Sequence, residues 1–298
     1  MGAPQIQWYP GHIAKAEKAL QAALAKVDLV IEVRDARIPL STGHPRLQRW
    51  ISGKQHLLVL NRRDMVPLQA QQSWDQWFRA AEQTIWWCDA KAGTGVKQLQ
   101  QAAIRAGEAL NGRRTARGMK PRPVRALMLG FPNVGKSALI NRLVRQKVVD
   151  SARRAGVTRS LRWVRLGQEL DLLDAPGVLP PRLDDQQAAL RLALCDDIGQ
   201  AAYDSEAVAV AFVQLLARLQ MVPAAGVPAD LLLQRYGIPL GQLPAGDPDA
   251  ETWLHEAASR HTSGDTTRMA TKLLDDYRCA RLGAIALELP TTPAVEVG

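Results

Sequence analysis

Cysteine is scarce, with Cys88, Cys195 and Cys279 the only three in 298 residues. They stand far apart and show no metal-ligand spacing, which argues against a disulfide scaffold or a zinc module and fits a reducing compartment. No apolar run approaches the length a bilayer requires. The opening Met1-Gly-Ala-Pro-Gln-Ile-Gln-Trp8 lacks the apolar core of a signal peptide, and Ile6 does not fit a myristoylation pattern. The expectation is a soluble cytoplasmic chain with no membrane partner. Acidic residues are also unevenly short: residues 1–183 hold 30 Lys and Arg against 13 Asp and Glu, whereas 184–298 hold 8 against 16. An anionic partner would therefore meet the first part, because local charge decides association more than the total of +9.

What is present is organised around Gly130-Phe-Pro-Asn-Val-Gly-Lys-Ser137. It follows the apolar run Val124–Leu129 and precedes Ala138-Leu-Ile-Asn-Arg-Leu, which is the strand, glycine-bounded loop and helix order of a phosphate-binding loop. Loop amides and the helix start favour phosphate, Lys136 suits bridging of terminal phosphates, and Ser137 suits ligation of magnesium.

In chain order, Trp8-Tyr-Pro-Gly-His12 leads into a helix predicted over about 13–26. On spacing alone His12 reads as a capping or surface histidine. Strands are predicted at Asp28–Arg34, His56–Leu60 and Thr84–Cys88, with helices at about 45–52, 69–83 and 96–110. The rhythm argues a doubly wound, mostly parallel sheet with its site at the strand C-termini. Trp74, Trp77 and Phe78 on the 69–83 helix read as apolar packing onto that sheet. At the end of the second strand stands Asn61-Arg62-Arg63-Asp64, where a carboxylate can accept from N1 and N2 of guanine and the neighbouring Asn can tie loops together. Asp89-Ala90-Lys91 follows the third strand. Residues 111–125, with Arg113, Arg114, Arg117, Lys120, Arg122 and Arg125, read either as a solvated linker or as a contact for nucleic-acid phosphates. After the phosphate loop, Thr158 suits a switch that completes a magnesium shell. A hairpin then delivers Asp174-Ala-Pro-Gly177, with Asp174 for the metal through water and the Gly177 amide for a γ-phosphate.

The set resembles the Ras-like guanine-nucleotide-binding domain, but Asn61–Asp64 and Asp89–Lys91 precede the phosphate loop instead of following it. That is the order of circularly permuted GTPases. The Trp-Tyr-Pro-Gly-His opening and Arg117-Gly-Met-Lys-Pro-Arg122 most resemble the bacterial ribosome biogenesis GTPase A family. The resemblance covers about residues 5–180 and implies a GTPase domain over 1–183 that binds GTP and GDP. It also implies Asn61, Arg62, Asp64, Asp89, Ala90 and Lys91 around the base, and Asn133, Val134, Gly135, Lys136, Ser137 and Ala138 around the phosphates. Ser137, Thr158 and Asp174 would hold magnesium, while Thr158 and Gly177 sense the γ-phosphate. Asn133 resembles the loop asparagine of potassium-activated relatives, which implies a potassium ion. Val178 stands where Ras-like proteins place a water-orienting glutamine, which implies slow intrinsic hydrolysis and makes His12 the candidate substitute. Arg62 replaces the usual lysine, and Ala155 the usual proline before Gly156.

Residues 184–290 read as an all-helical domain and 291–298 as a disordered tail. In the resembling family such a domain contacts ribosomal RNA, yet here it is net acidic, so bulk charge is not its main attraction for RNA. Arg268, Lys272, Arg278 and Arg281 read as a solvated, self-paired face. The implied function is a GTP-hydrolysing assembly factor of the large ribosomal subunit, stimulated by the subunit, released after hydrolysis and monomeric off the ribosome. A nucleotide-gated protein-interaction module with negligible turnover is the alternative that Val178 favours; an adenine-using ATPase is a third, against which Asp64 argues.

Overall fold

The computed structural model describes residue 6 and residues 20–144, 162–175, 177, 185–239 and 249–290. The chain divides into two compact units, one comprising Tyr9–Arg63 and Ala81–Arg182, the other Met1–Trp8, Asp64–Ala80 and Leu183–Gly298.

The first unit is built on a six-stranded sheet of order β3-β2-β1-β4-β6-β5. Its strands are β1 (Leu29–Asp35), β2 (Gln55–Asn61), β3 (Ile85–Cys88), β4 (Val124–Leu129), β5 (Arg162–Leu166) and β6 (Leu170–Asp174). All neighbours pair in parallel except β5 with β6, which form the antiparallel hairpin predicted before Asp174. β1 reads Leu-Val-Ile-Glu-Val-Arg-Asp, apolar at consecutive positions because parallel strands are covered on both faces. Glu32 interrupts the apolar run in mid-strand, buried and accepting from Arg34 Nε at 2.6 Å and facing His56 Nε2 at 3.0 Å.

On one face Val30, Leu127, Leu129, Leu173 and Ala175 pack against Leu20, Ala23, Leu24, Val27, Leu47 and Ile51, which come from helical residues 20–24, the following turn and α1 (Leu47–Trp50). Against the other lie α3 (Val96–Ala116), which contacts β1 and β4, and α4 (Lys136–Val144), which contacts β5 and β6. Gly107 is where α3 and β4 touch: a Cβ there would come within 1.7 Å of Val124 Cγ2.

The basic joint is more structured than its composition suggests. α3 continues to Ala116 and β4 begins at Val124, so most of residues 111–125 belongs to regular elements. The Arg114 guanidinium donates to the Lys120 carbonyl at 3.1 and 3.2 Å, and Asn111 exchanges two hydrogen bonds with the Arg122 backbone. Arg122 forks onto Asp28 at 2.7 and 2.8 Å. These cations are partly spent on closing the turn.

The second unit contains α2 (Leu68–Ala80) with α5 (Gln186–Cys195), α6 (Ser205–Leu219), α7 (Leu231–Tyr236), α8 (Asp249–His261) and α9 (Thr266–Arg278). α2 carries Trp74 and Phe78 inward, but its packing partner is the 3-10 turn Pro223–Ala225 of this unit, where the sequence had suggested the sheet. The Ile285 amide donates to the Met65 carbonyl beside it. Asp185, Asp204 and Asp265 accept the first free amides of α5, α6 and α9, so part of this unit's acidity serves capping. The α9 cations are not a solvated face throughout. Arg278 is buried on the carbonyls of Ala193 and Leu194, and buried Asp276 accepts from Arg235, Tyr236 and Arg281. No helix among the described residues is long and apolar enough to cross a membrane.

Candidate functional site

β1, β2, β3, β4 and β6 run parallel, so their C-terminal ends meet along one edge of the sheet. There Asp35, Asn61, Asp89, Gly130 and Asp174 emerge within a residue of their strands. The phosphate loop leaves β4 at Gly130 and enters α4 at Lys136. Two of its glycines are sterically required. Gly135 has φ +96, and a Cβ would lie 2.2 Å from Asn61 Nδ2; at Gly130 a Cβ would lie 2.2 Å from the Val33 carbonyl oxygen. Asn133 also takes a left-handed conformation, φ 57, which asparagine tolerates better than most residues.

Lys136 is buried, and its Nζ donates to the carbonyls of Gly130 at 3.1 Å and Phe131 at 2.7 Å. The ammonium thus lies inside the loop that would surround terminal phosphates. Ser137 Oγ stands 3.5 Å from Asp174 Oδ2, a hydroxyl and a buried carboxylate converging as a magnesium site requires. Gly177 lies against the loop: a Cβ there would fall 2.6 Å from Pro132 N.

Asn61 is the junction. It is buried, its Nδ2 donates to the Val134 carbonyl at 2.9 Å, and its Oδ1 accepts from the Ala90 amide at 3.1 Å. One side chain therefore fixes the phosphate loop relative to the loop after β3. That second loop is itself folded on Asp89, whose Oδ1 accepts from the amides of Lys91 at 2.7 Å and Ala92 at 3.0 Å, while Arg142 donates to the Ala92 carbonyl. Asp64 falls in the 3-10 turn Arg63–Met65 and is exposed. His12 and Thr158, with Ala155 and Val178, lie outside the described residues.

Sequence reasoning passed over the support behind Asn61. Arg37 is fully buried and forks onto Asp35 at 2.9 and 2.7 Å, and Thr42 Oγ1 accepts the Asp35 amide at 3.1 Å. Arg62 joins this cluster, with Nε 3.2 Å from Asp35 Oδ2 and Nη2 donating to the Asn133 carbonyl at 2.6 Å. Burial alone would raise the Asp35 carboxyl, but Arg37 and then Arg62 outweigh it and hold it below the ordinary carboxylate value. The only available signal was an acid at a strand end followed two residues later by an arginine. Cys88, at the end of β3, is pushed up to about 12 by burial and by Asp89, so it is an inert thiol.

Fold and site together define a circularly permuted phosphate-loop GTPase, with the base-side elements preceding the phosphate loop in the chain. Ribosome biogenesis GTPase A of Bacillus cereus is 38% identical over 205 residues, covering 69% of each chain, and that of Priestia megaterium is 38% identical over 214 residues, covering 71% of this chain and 74% of the other. The chain belongs to the ribosome biogenesis GTPase A family, and it is a GTP-hydrolysing enzyme of ribosome assembly. The profile of the 50S ribosome-binding GTPase family matches residues 125–216. The GDP-bound structure of YlqF from T. maritima shares the fold at a TM-score of 0.59 and 21% identity, over 91% of this chain and 98% of that one.

Proposed function

We propose that this GTPase acts on the precursor of the large ribosomal subunit, docks in the GTP-bound state and leaves after hydrolysis. The observation that carries the chemistry is the Asn61 junction, which binds the phosphate loop and the base-side loop into one hydrogen-bonded frame. The target is supported by the likeness to 50S ribosome-binding GTPases and by the basic excess of residues 1–183.

In this reading Asp64 accepts from guanine N1 and N2, the Ala90 amide contacts the base, and Arg62, Asp89 and Lys91 shape that side. The amides of Asn133, Val134, Gly135 and Ala138 face the phosphates, and Lys136 moves from its loop carbonyls to the terminal phosphates. Ser137, Thr158 and, through water, Asp174 would hold magnesium, which would supply positive charge against that developing on the phosphates. The Gly177 amide and Thr158 register the γ-phosphate, so both relax on hydrolysis. The Asn133 side chain would hold a potassium ion that supplies further positive charge, and His12 would orient the attacking water in place of the glutamine that Val178 replaces. GTP turnover with and without purified large subunits tests the assignment, and His12→Ala tests the histidine: a loss of stimulated turnover with intact GTP binding is expected, and an unchanged rate removes it from the mechanism.

A further inference from the structure

The α/β unit carries a second feature remote from the phosphate loop. Arg125 is the second residue of β4, whose far end leads into Gly130, so roughly 15 Å of strand separates the two. Register places Arg125 opposite Asp171 of β6 and Asp171 opposite Arg165 of β5, one face across three strands. Trp163, two residues before Arg165, shares that face on the edge strand and is 44% exposed. The Arg125 guanidinium lies over its indole at 5.9 Å from the ring centroid. With Lys26 these residues line an open hollow of about 440 Å³, in which, among the described lining residues, three cations face the carboxylate of Asp171. Arg165 sits 3.5 Å from that carboxylate with most of its own side chain in solvent.

The exposed indole of Trp163 offers a stacking face and the flanking cations favour negative charge, so together they suit an anionic partner that carries flat rings. A free nucleotide belongs at the opposite end of the sheet. We infer that this hollow is a docking surface for single-stranded RNA, with a base stacked on Trp163 and the adjoining phosphates against Lys26, Arg125 and Arg165. This rests on the ribosomal reading above for the choice of RNA, and it gives the basic unit an RNA contact of its own.

The test is fluorescence anisotropy of the full chain with a labelled 16-nucleotide unstructured RNA across a salt series. Trp163→Ala weakens binding about 5- to 150-fold without altering the salt slope, because stacking releases no counterions. Trp163→Tyr restores most of the affinity. Lys26→Gln with Arg125→Gln lowers the magnitude of the slope by about 1.4, at about 0.7 per phosphate contact on a single strand. GTP affinity, measured on each variant, stays at the parent value and guards against misfolding. RNA affinity unchanged in both Trp163→Ala and the double cation variant overturns the proposal. So does unchanged RNA binding combined with loss of binding to a ribosomal protein, which makes the hollow a protein site. Subunit-stimulated GTP turnover is read separately: its absence in the parent chain defeats the ribosomal reading, whereas its retention in Trp163→Ala alongside unchanged RNA affinity defeats only this surface.

Discussion

Replacing Asn61 with alanine removes the two hydrogen bonds that join the phosphate loop to the base-side loop. The side chain is 2% exposed, so the Val134 carbonyl and Ala90 amide lose their partners where water has little access. A buried polar group left without a partner costs about 1–3 kcal/mol. Val134 is fully buried and belongs at the upper part of that range, while Ala90 is half-buried and belongs at the lower part, giving about 2–4 kcal/mol together. If the loss falls on the nucleotide-bound arrangement, GTP and GDP affinity falls about 30- to 700-fold, at 1.4 kcal/mol per decade. Asn61→Asp keeps the acceptor for Ala90 but turns a carboxylate oxygen toward the Val134 carbonyl, so it should bind no better than the alanine variant. The assay is displacement of a fluorescent guanine nucleotide, with thermal melting alongside to partition the loss between stability and binding. Affinity within threefold of the parent chain and an unchanged melting temperature would refute the idea that Asn61 couples the two halves of the site.

Three further outcomes follow from the same geometry. Asp64→Asn should shift preference from GTP toward xanthosine triphosphate, because an amide can donate to the extra carbonyl; competition binding with both nucleotides checks this, and no shift means the base pocket lies elsewhere. Arg62→Lys should weaken nucleotide binding about 3- to 10-fold in equilibrium titration, since one ammonium replaces a fork that spans Asp35 and the Asn133 carbonyl; unchanged or tighter binding contradicts that role. Burial, reinforced by Arg46, pushes His44 down to about 4. The unfolded chain then takes up a proton near pH 6.5 that the folded chain refuses, so stability falls as pH drops from about 6.5 toward 4. His44→Phe, which retains a ring against Trp50, should flatten that decline in urea unfolding between pH 6.5 and 5. The depressed carboxyls of Asp28, Glu32 and Asp276 enter only at lower pH, and an unchanged slope would refute the assignment to His44.

The sheet and the phosphate loop were legible in the sequence because each depends on a local pattern. Consecutive branched residues mark parallel strands, and Gly130 with Gly135 mark positions where no Cβ fits. Asn61 was legible as a residue able to tie loops, although its two partners, Val134 and Ala90, are 73 and 29 residues away and only folding identifies them. The buried Asp35–Arg37 pair and the double engagement of Arg62 were hidden, since a charged loop after a strand ordinarily reads as solvated. The joint was misjudged for a related reason. Two glycines, two prolines and six basic residues read as a linker or a phosphate contact, yet Gly112 costs a helix only about 1 kcal/mol, and Arg114 and Asn111 secure the turn beyond it. The grouping of Asp64–Ala80 with the C-terminal helices was beyond any local signal, because it depends on Met65 meeting Ile285 across more than half the chain.

The central claim is tested most directly by GTP turnover in potassium buffer, with and without purified large ribosomal subunits, and with sodium as the ion control. The account predicts a low basal rate, strong stimulation by subunits, and loss of that stimulation in sodium. Tight GTP binding with a rate that neither subunits nor their precursors raise would contradict it and turn attention to a nucleotide-gated protein interaction.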